Sequence, residues 1–476
     1  MTTAKRNTIV LVMLISAFVA MLNQTILNTA LPAIIKGLNI TETTAQWLIT
    51  GFMLVNGIMI PFTAFLMDKY TTRKLYIFSM AAFLIGSIIA ALSPGFEILM
   101  VARIIQAIGA GILLPLMQFT VFTLFPVEKR GFAMGLTGIV AQTAPAIGPT
   151  LTGLLIDFFS WRMPFYIVAA IALIAFAIGF FFVENNGQTK ETVLDKISVA
   201  YSTFGFGLIL FAFSSVSTFG IASIPVINTF ILGLIVIAIF TFRQLKIDHP
   251  LLNLSVFKSK VFTLSAIASM LVFIGIVGPA LLIPMYVQTG LGLSALLSGL
   301  VILPGAVFNA FISVYTGKIF DKYGIKVLVI PGFTVLIIMT ILHAFLTTET
   351  PFWYVVVIYA IRMISVGLLI MPLNTVGLNA LKPEEISHGT AIMNSLRIIA
   401  GAMGTAISIT ILSIVAKNYT ATHHTMSKVK LARESTVQGV DAAFIFTTVL
   451  IVIGFILALF IKENRNAKDT DSSSEK

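Results

Sequence analysis

Cysteine is absent from the 476 residues, and charge is scarce: Asp, Glu, Lys and Arg together make up 10% of the chain. The first absence excludes disulfides, thiol nucleophiles and sulfur-held zinc, and leaves the redox compartment unreadable. The second excludes an ordinary soluble domain, in which about a quarter of residues are charged. No loop of the form G-x-x-x-x-G-K is present, which disfavours ATP-driven transport by this chain alone. No clustered His and Asp constellation stands where a membrane enzyme would need one. The adjacent His423 and His424 read as part of a solvated loop. The sequence predicts neither cofactor nor metal.

What the chain has is apolar length: 58% of residues are hydrophobic and the mean hydropathy is +1.02. A helix needs about 20 mostly apolar residues to cross the hydrocarbon of a bilayer. Runs free of Asp, Glu, Lys and Arg lie at 7–35, 43–67, 75–96, 104–127, 131–156 and 163–183. A longer run at 197–242 has a polar break near Ser217–Pro225 and counts as two helices, and one at 261–317 breaks near Thr289–Ser294 and again counts as two. Then follow 327–348, 350–381 with only Arg362 inside, 386–416 with only Arg397 inside, and 442–461. The total predicts an all-α polytopic membrane protein with fourteen spans. No cleavable leader is evident, because the first run is long and leads directly into more membrane sequence.

An even count puts both termini on one side. Of the 30 Lys and Arg, 21 fall on the side of the termini, 6 on the other, and Arg103, Arg362 and Arg397 lie within the runs. By the positive-inside rule the termini are cytoplasmic and the membrane is the cell membrane. The net charge of +11 is therefore an orientation signal, and no nucleic-acid partner is expected.

The chain repeats itself. Asp68-Lys69-Tyr70 recurs as Asp321-Lys322-Tyr323, Gly111 to Leu116 resembles Gly367 to Leu373, and Arg130-Gly131-Phe132-Ala133 resembles His388-Gly389-Thr390-Ala391. The common spacing and order predict two six-helix bundles built on one plan, 1–195 and 261–461. A helix pair and linker are inserted at 196–260, and a disordered cytoplasmic tail follows at 462–476. Internal repeats around a central site mark secondary transporters.

Four stretches carry a closer likeness. After the second run stands Ala64-Phe65-Leu66-Met67-Asp68-Lys69-Tyr70-Thr71-Thr72-Arg73-Lys74; its second copy keeps Gly317, Asp321 and Gly324. The fourth run has Arg103, Gln106 and Gly109 three apart, on one face. The fifth has Gly138, then Ala144-Pro145-Ala146-Ile147-Gly148-Pro149, then Gly153. The first has Leu22-Asn23-Gln24-Thr25-Ile26-Leu27-Asn28-Thr29-Ala30-Leu31-Pro32. Over nearly its whole length the chain resembles the major facilitator superfamily, and within it the fourteen-helix drug:proton antiporters of the Gram-positive lincomycin-resistance type.

The resemblance implies the major facilitator fold and export of small drug-like molecules from the bilayer in exchange for protons, by a chain expected to be monomeric. It also implies gating roles for Asp68, Arg73, Lys74 and Asp321, and for Gly138, Pro145, Gly148, Pro149 and Gly153 in the stretch that marks exporters. The family usually has Asp where Asn23 stands. A solvated, topology-setting charge cluster and a plain packing face are the alternatives for the two groups. A proton-coupled symporter or a lipid or metabolite exporter on the same fold is the closest rival function.

A proton-coupled carrier needs a titrating group in the membrane, and none of the 19 acids lies at the centre of a run. Glu97, Asp157 and Asp441 stand at outer ends of runs, with His343 a further candidate. The expectation is that Asp157 or Glu97 exchanges the proton, with Arg103 switching between them. Asn23, Gln24, Asn28, Arg103, Gln106, Gln118, Gln142, Asn309, Arg362, Asn394 and Arg397 are the candidates for lining the substrate cavity. A cavity with cations and no central acid favours neutral or zwitterionic amphiphiles over dications.

Overall fold

The computed structural model describes residues 3–185, 194–248, 250–423 and 426–462. The side chains of Asn28, Gln142, Pro149 and Asp157, and nearly all of the tail expected from 462 onward, lie outside the described residues.

The N-terminal half consists of α1 (Thr3–Leu38), α2 (Glu42–Lys69), α3 (Thr72–Leu92), α4 (Phe96–Leu124), α5 (Arg130–Phe158) and α6 (Met163–Phe182). A hairpin of α7 (Lys196–Phe219) and α8 (Ile224–Gln244) follows. The C-terminal half consists of α9 (Lys260–Met285), α10 (Ala295–Tyr323), α11 (Lys326–His343), α12 (Phe352–Gly367), α13 (Ile370–Asn379), α14 (Ile386–Thr422) and α15 (Lys428–Leu459). Among the described residues thirteen segments are long and apolar enough to cross a membrane, with α12 and α13 counted as one. The 29-residue α5 is a further long helix that is not among these thirteen. The interior and the lipid-facing exterior are both apolar, so each helix satisfies its own backbone polar groups, as hydrocarbon requires.

The helix ends follow local chemistry. Thr71, Asp195, Ser259, Ser294 and Ser427 each accept a backbone N–H in the first turn of the helix they precede, the usual work of an N-cap side chain. The run 350–381, expected as one helix, is instead broken between α12 and α13. Pro372 has no N–H to offer the Leu368 carbonyl one turn earlier, and the helix parts at Leu368 and Leu369. The α9 end unwinds into a π-turn at Tyr286–Gly290 before the polar break.

Within each half the helices pack against one another; between halves α5 lies along α10, and α14 lies along α2. The same contacts recur in both halves. The Gln106 amide donates to Ser87 Oγ at 3.0 Å in the first, and Arg362 Nε donates to Thr340 Oγ1 at 3.3 Å in the second. The α7–α8 hairpin packs on α2 and α14 at once. Trp47 stacks on Phe211 at 6.0 Å, while Val216, Val226 and Ala406 form their own apolar cluster. The hairpin thus closes the α2/α14 side of the molecule and leaves the α5/α10 side uncovered by it.

Candidate functional site between the halves

At one end of the molecule two carboxylates reach across from one half to the other. Asp321, near the end of α10, accepts the backbone N–H groups of Gly131 and Phe132 at 2.8 Å each. Those are orphan donors of the first turn of α5, where the helix dipole also favours a negative charge. Asp68, near the end of α2, accepts from Ser387 Oγ at 2.7 Å and meets His388 Nε2 at 3.2 Å, both in the first turn of α14. The Asn253 N–H donates to His388 Nδ1 at 3.1 Å, so Nδ1 is the acceptor and Nε2 carries the proton given to Asp68. The repeated sequence segments therefore pair crosswise: each half supplies one carboxylate and one helix N-terminus to the other.

The remaining residues of the first charged stretch act within their own half. Arg73 Nη2 donates to the Phe180 carbonyl at 2.9 Å, tying α3 to the end of α6, and Lys74 is exposed. The two missing glycines also have local reasons. Gly324 ends α10 at φ 83°, in the left-handed region that favours glycine. Its counterpart Thr71 sits at φ −66° and caps α3 instead. Gly317 lets α10 touch the backbone of α5, since a Cβ there would meet the Gly131 carbonyl; Ala64 is fully buried at the matching point of α2.

From this capped end α5 runs antiparallel to α10. Gly135 and Gly138 continue the close contact, both against Ser313. Further along, α5 changes partner: Ala144 is buried, Pro145 is exposed, and Gly148 packs against Thr25 and Leu22 of α1 in its own half. Beyond that point Gly153 of α5 and Gly299 of α10 have no other atoms within 4 Å of where a Cβ would stand. Along this seam the close contact between the halves lies toward the capped end.

Midway, an amide pair joins the halves. Asn394 of α14 donates to Gln118 Oε1 of α4 at 2.7 Å, both buried, and its own Oδ1 has no partner. One turn away Arg397 is half-buried with its guanidinium 5.8 Å from the Phe273 ring, and it has no hydrogen-bonding partner among the described residues. Gln24 is half-buried, whereas Asn23 is fully buried with both amide atoms unpaired. A buried unpaired amide is costly in apolar surroundings, which sets Asn23 apart from Ser16 and Thr25 of α1, whose hydroxyls are hydrogen-bonded.

The other candidate polar groups are held inside single halves. Arg103 is 1% exposed: it donates to Gln106 Oε1 at 2.9 Å and to the Leu48 carbonyl at 3.4 Å, and covers the Phe52 ring at 4.1 Å. It braces α2, α3 and α4 from within and is not turned toward acyl chains. Glu97 is exposed, with no bond to Arg103. Asn309 Nδ2 donates to the Met363 carbonyl at 2.6 Å, joining α10 to α12. Arg362 is fully buried and donates to Thr340 and to the Gly275 carbonyl of α9, with Nη1 unpaired. Sequence reasoning did not single out Ser387, His388 as the partner of Asp68, or the Gln118–Asn394 bridge. The alignment of His388-Gly389 with Arg130-Gly131 was the signal available for the first pairing.

Comparison with known proteins gives a consistent picture. The sequence profile described as Major Facilitator Superfamily matches residues 13–405. The chain is 42% identical over 458 residues to an uncharacterized MFS-type transporter, YcnB, of Bacillus subtilis (strain 168), covering 96% of this chain and 95% of that one. It is 39% identical over 456 residues to the lincomycin resistance protein LmrB of the same organism, covering 95% of each chain. Among solved structures, the human organic anion transporter MFSD10 (TETRAN) superposes with a TM-score of 0.62 at 14% identity, covering 95% of this chain and 99% of that one, a likeness of fold alone.

Proposed function

The chain belongs to the major facilitator superfamily, and from that membership we propose that it is a proton-driven antiporter exporting hydrophobic or amphiphilic antibiotics and toxicants across the cell membrane. The family makes it a multi-span transporter of small molecules. Its end bearing Asp68 and Asp321 is the cytoplasmic one, because the loops there carry the basic excess. The state described above is then closed to the cytoplasm.

The observation that carries the reading is the α5/α10 seam, where Gly131, Gly135 and Gly138 bring the backbones of the two halves into contact, while a Cβ at Gly153 or Gly299 would meet open space. Helices with small residues approach closely, so a rocking motion can seal either end by changing which glycines meet. Asp321 and Asp68 hold the cytoplasmic end shut until the halves rock back. The inserted α7–α8 hairpin covers the other seam, so lipid-dissolved molecules reach the space between the halves past α5 and α10.

Arg397, with no hydrogen-bonding partner among the described residues, is the charged group left for a substrate, with Asn394, Gln118 and Gln24 supplying neutral contacts. That set suits neutral or zwitterionic amphiphiles better than dications, and the likeness to a lincomycin resistance protein supports lincosamides as members of the substrate range. A susceptibility panel on a sensitive strain with and without this chain tests the reading. Expression should protect against lincomycin, and an uncoupler should abolish the accompanying efflux. Unchanged susceptibility to every neutral and zwitterionic compound, with protection against dicationic biocides alone, would overturn the substrate assignment.

A further inference from the structure

Exchange for protons requires a place for the proton, and this inference rests on the antiporter reading. Helices α11 and α15 run antiparallel in one register from end to end. Phe333 stacks on Phe455 at 5.5 Å and His343 on Phe444 at 4.9 Å, and the Leu346 N–H lies beside the Asp441 carboxylate. Helix α12 continues the ladder, with His343 edge-on to Tyr359 at 6.3 Å and Thr340 bonded to Arg362 at 3.3 Å. Three rungs result, each about one helical turn apart: Asp441 outermost, His343 below it, Arg362 deepest.

Each rung ends in an unsatisfied atom. Asp441 Oδ1, His343 Nε2 and Arg362 Nη1 are all buried without a partner. The histidine is the decisive one, being 0% exposed. Its Nδ1 lies 2.7 Å from the Met339 carbonyl, which can only accept, so Nδ1 bears the hydrogen and Nε2 is a bare lone pair in an apolar interior. Bare acceptors are rare in a packed core. The adjacent end of α9 is the π-turn that begins at Tyr286, whose hydroxyl is bonded to the Thr347 carbonyl at 2.7 Å; such bulges gather at functional sites. The titratable and charged groups facing the column are Tyr286 from the α9 end, Tyr359 and Arg362 from α12, and Asp441 from α15. Arg433, two turns further out, is occupied by the carbonyls of Gly290, Leu291 and Thr348.

We propose that Asp441 and His343 form the proton-loading site of the transporter, in the outer part of the C-terminal half. Asp441, half-buried, takes a proton from the external water on its carboxylate. Asp441 Oδ1 and His343 Nε2 do not touch in this state, so transfer follows a side-chain rotation of Asp441 that brings its O–H to Nε2; the O–H bond then breaks as an N–H bond forms, and Asp441 returns to carboxylate. The resulting imidazolium stands next to the Arg362 guanidinium in a dry interior, where like charges repel strongly. Withdrawal of Arg362 relieves the repulsion and releases its bond to the Gly275 carbonyl of α9, so the proton is converted into a movement between helices.

The test uses full-length protein purified and reconstituted in vesicles, with lincomycin as the probe for flux. In pH-difference infrared spectra the wild type should give a carboxylic-acid band that titrates, and Asp441→Asn should lose it. The paired variant Glu97→Gln with Asp157→Asn should keep it. Asp441→Asn and His343→Gln should lose lincomycin-induced proton release at least tenfold while still exchanging lincomycin down its own gradient, and Asp441→Glu should restore it. Retained exchange shows that the variants are folded; should Asp441→Asn fail to fold, Asp441→Glu and His343→Gln carry the same comparison. A titrating band unchanged in Asp441→Asn, or full proton release in His343→Gln, would overturn the assignment. The antiporter reading fails separately, through wild-type vesicles that move lincomycin with no proton flux.

Discussion

Asp321 and Gly131 are 190 residues apart in sequence, yet the aspartate carboxylate holds the glycine N–H at 2.8 Å and the next N–H equally close. The bond crosses from one half of the molecule to the other, so it exists only while that end is shut. Hydrogen bonds to a charged acceptor are worth about 1.5–3 kcal/mol each. Asp321→Asn should therefore raise the population of molecules open at that end by roughly tenfold or more. The chain has no cysteine of its own, so spin labels at Glu128→Cys and Lys382→Cys report the spacing of the halves directly. Asp68→Asn should act in the same direction.

Glycines of the α5/α10 seam should not be equivalent. Gly317→Ala drives a methyl into the Gly131 carbonyl and should cost about 1–3 kcal/mol of overpacking in the shut state, lowering both thermal stability and transport. Gly153→Ala meets nothing within 4 Å and gains roughly 1 kcal/mol of helix propensity. It should melt higher and transport as before in this state; a loss of transport would mean that Gly153 meets α10 when the outer end closes.

Arg103 should tolerate no substitution. Its fork holds Gln106 and the Leu48 carbonyl and lies over Phe52, a geometry that a lysine ammonium does not reproduce. Arg103→Lys and Arg103→Gln are each expected to cost about 2–3 kcal/mol, read as a fall in melting temperature of the detergent-purified protein, with transport lost in parallel.

Arg397 should behave in the opposite way. With no hydrogen-bonding partner among the described residues to leave behind, Arg397→Gln should fold at least as stably as the wild type. Protection against lincomycin should fall severalfold in the susceptibility panel. Equal protection would remove Arg397 from the substrate site.

The hairpin carries its own acid sensitivity. Asp195 is pushed up by burial, but hydrogen bonds from Ser198, Arg243 and the Ile197 N–H outweigh this and hold its carboxyl below the ordinary value of 3.8. A depressed folded value means the stabilisation is fully present above that ordinary value and is lost as the pH falls below it. Asp195→Asn should remove about 1 kcal/mol at neutral pH, the usual worth of an N-cap, and should flatten the loss of α7–α8 protection from hydrogen exchange on acidification.

Much of this was legible in the chain before any fold was known, and the reasons are local. Breaks at Ser217–Pro225 and Thr289–Ser294 mark real helix ends, because polar residues and Pro act within a turn of where they stand. Arg362 and Arg397 were conspicuous because a charge inside an apolar run is expensive wherever the run is placed. Pro372 was equally visible, yet its effect was missed: hydropathy carries 350–381 straight through, while the missing N–H divides it into α12 and α13.

The sequence by itself determined an all-helical chain of many bilayer-spanning segments. That follows from hydrocarbon thickness and the cost of moving charge, which depend on composition along the chain and hardly on contacts. Tertiary structure alone decided that Asp68 meets His388, that Arg103 turns inward to Gln106 and away from Glu97, and that His343 Nε2 is left bare one turn beneath Asp441. Each of these depends on the rotation of one helix against another. A turn of about 100° per residue moves a side chain from partner to lipid without altering the hydropathy of the segment that bears it.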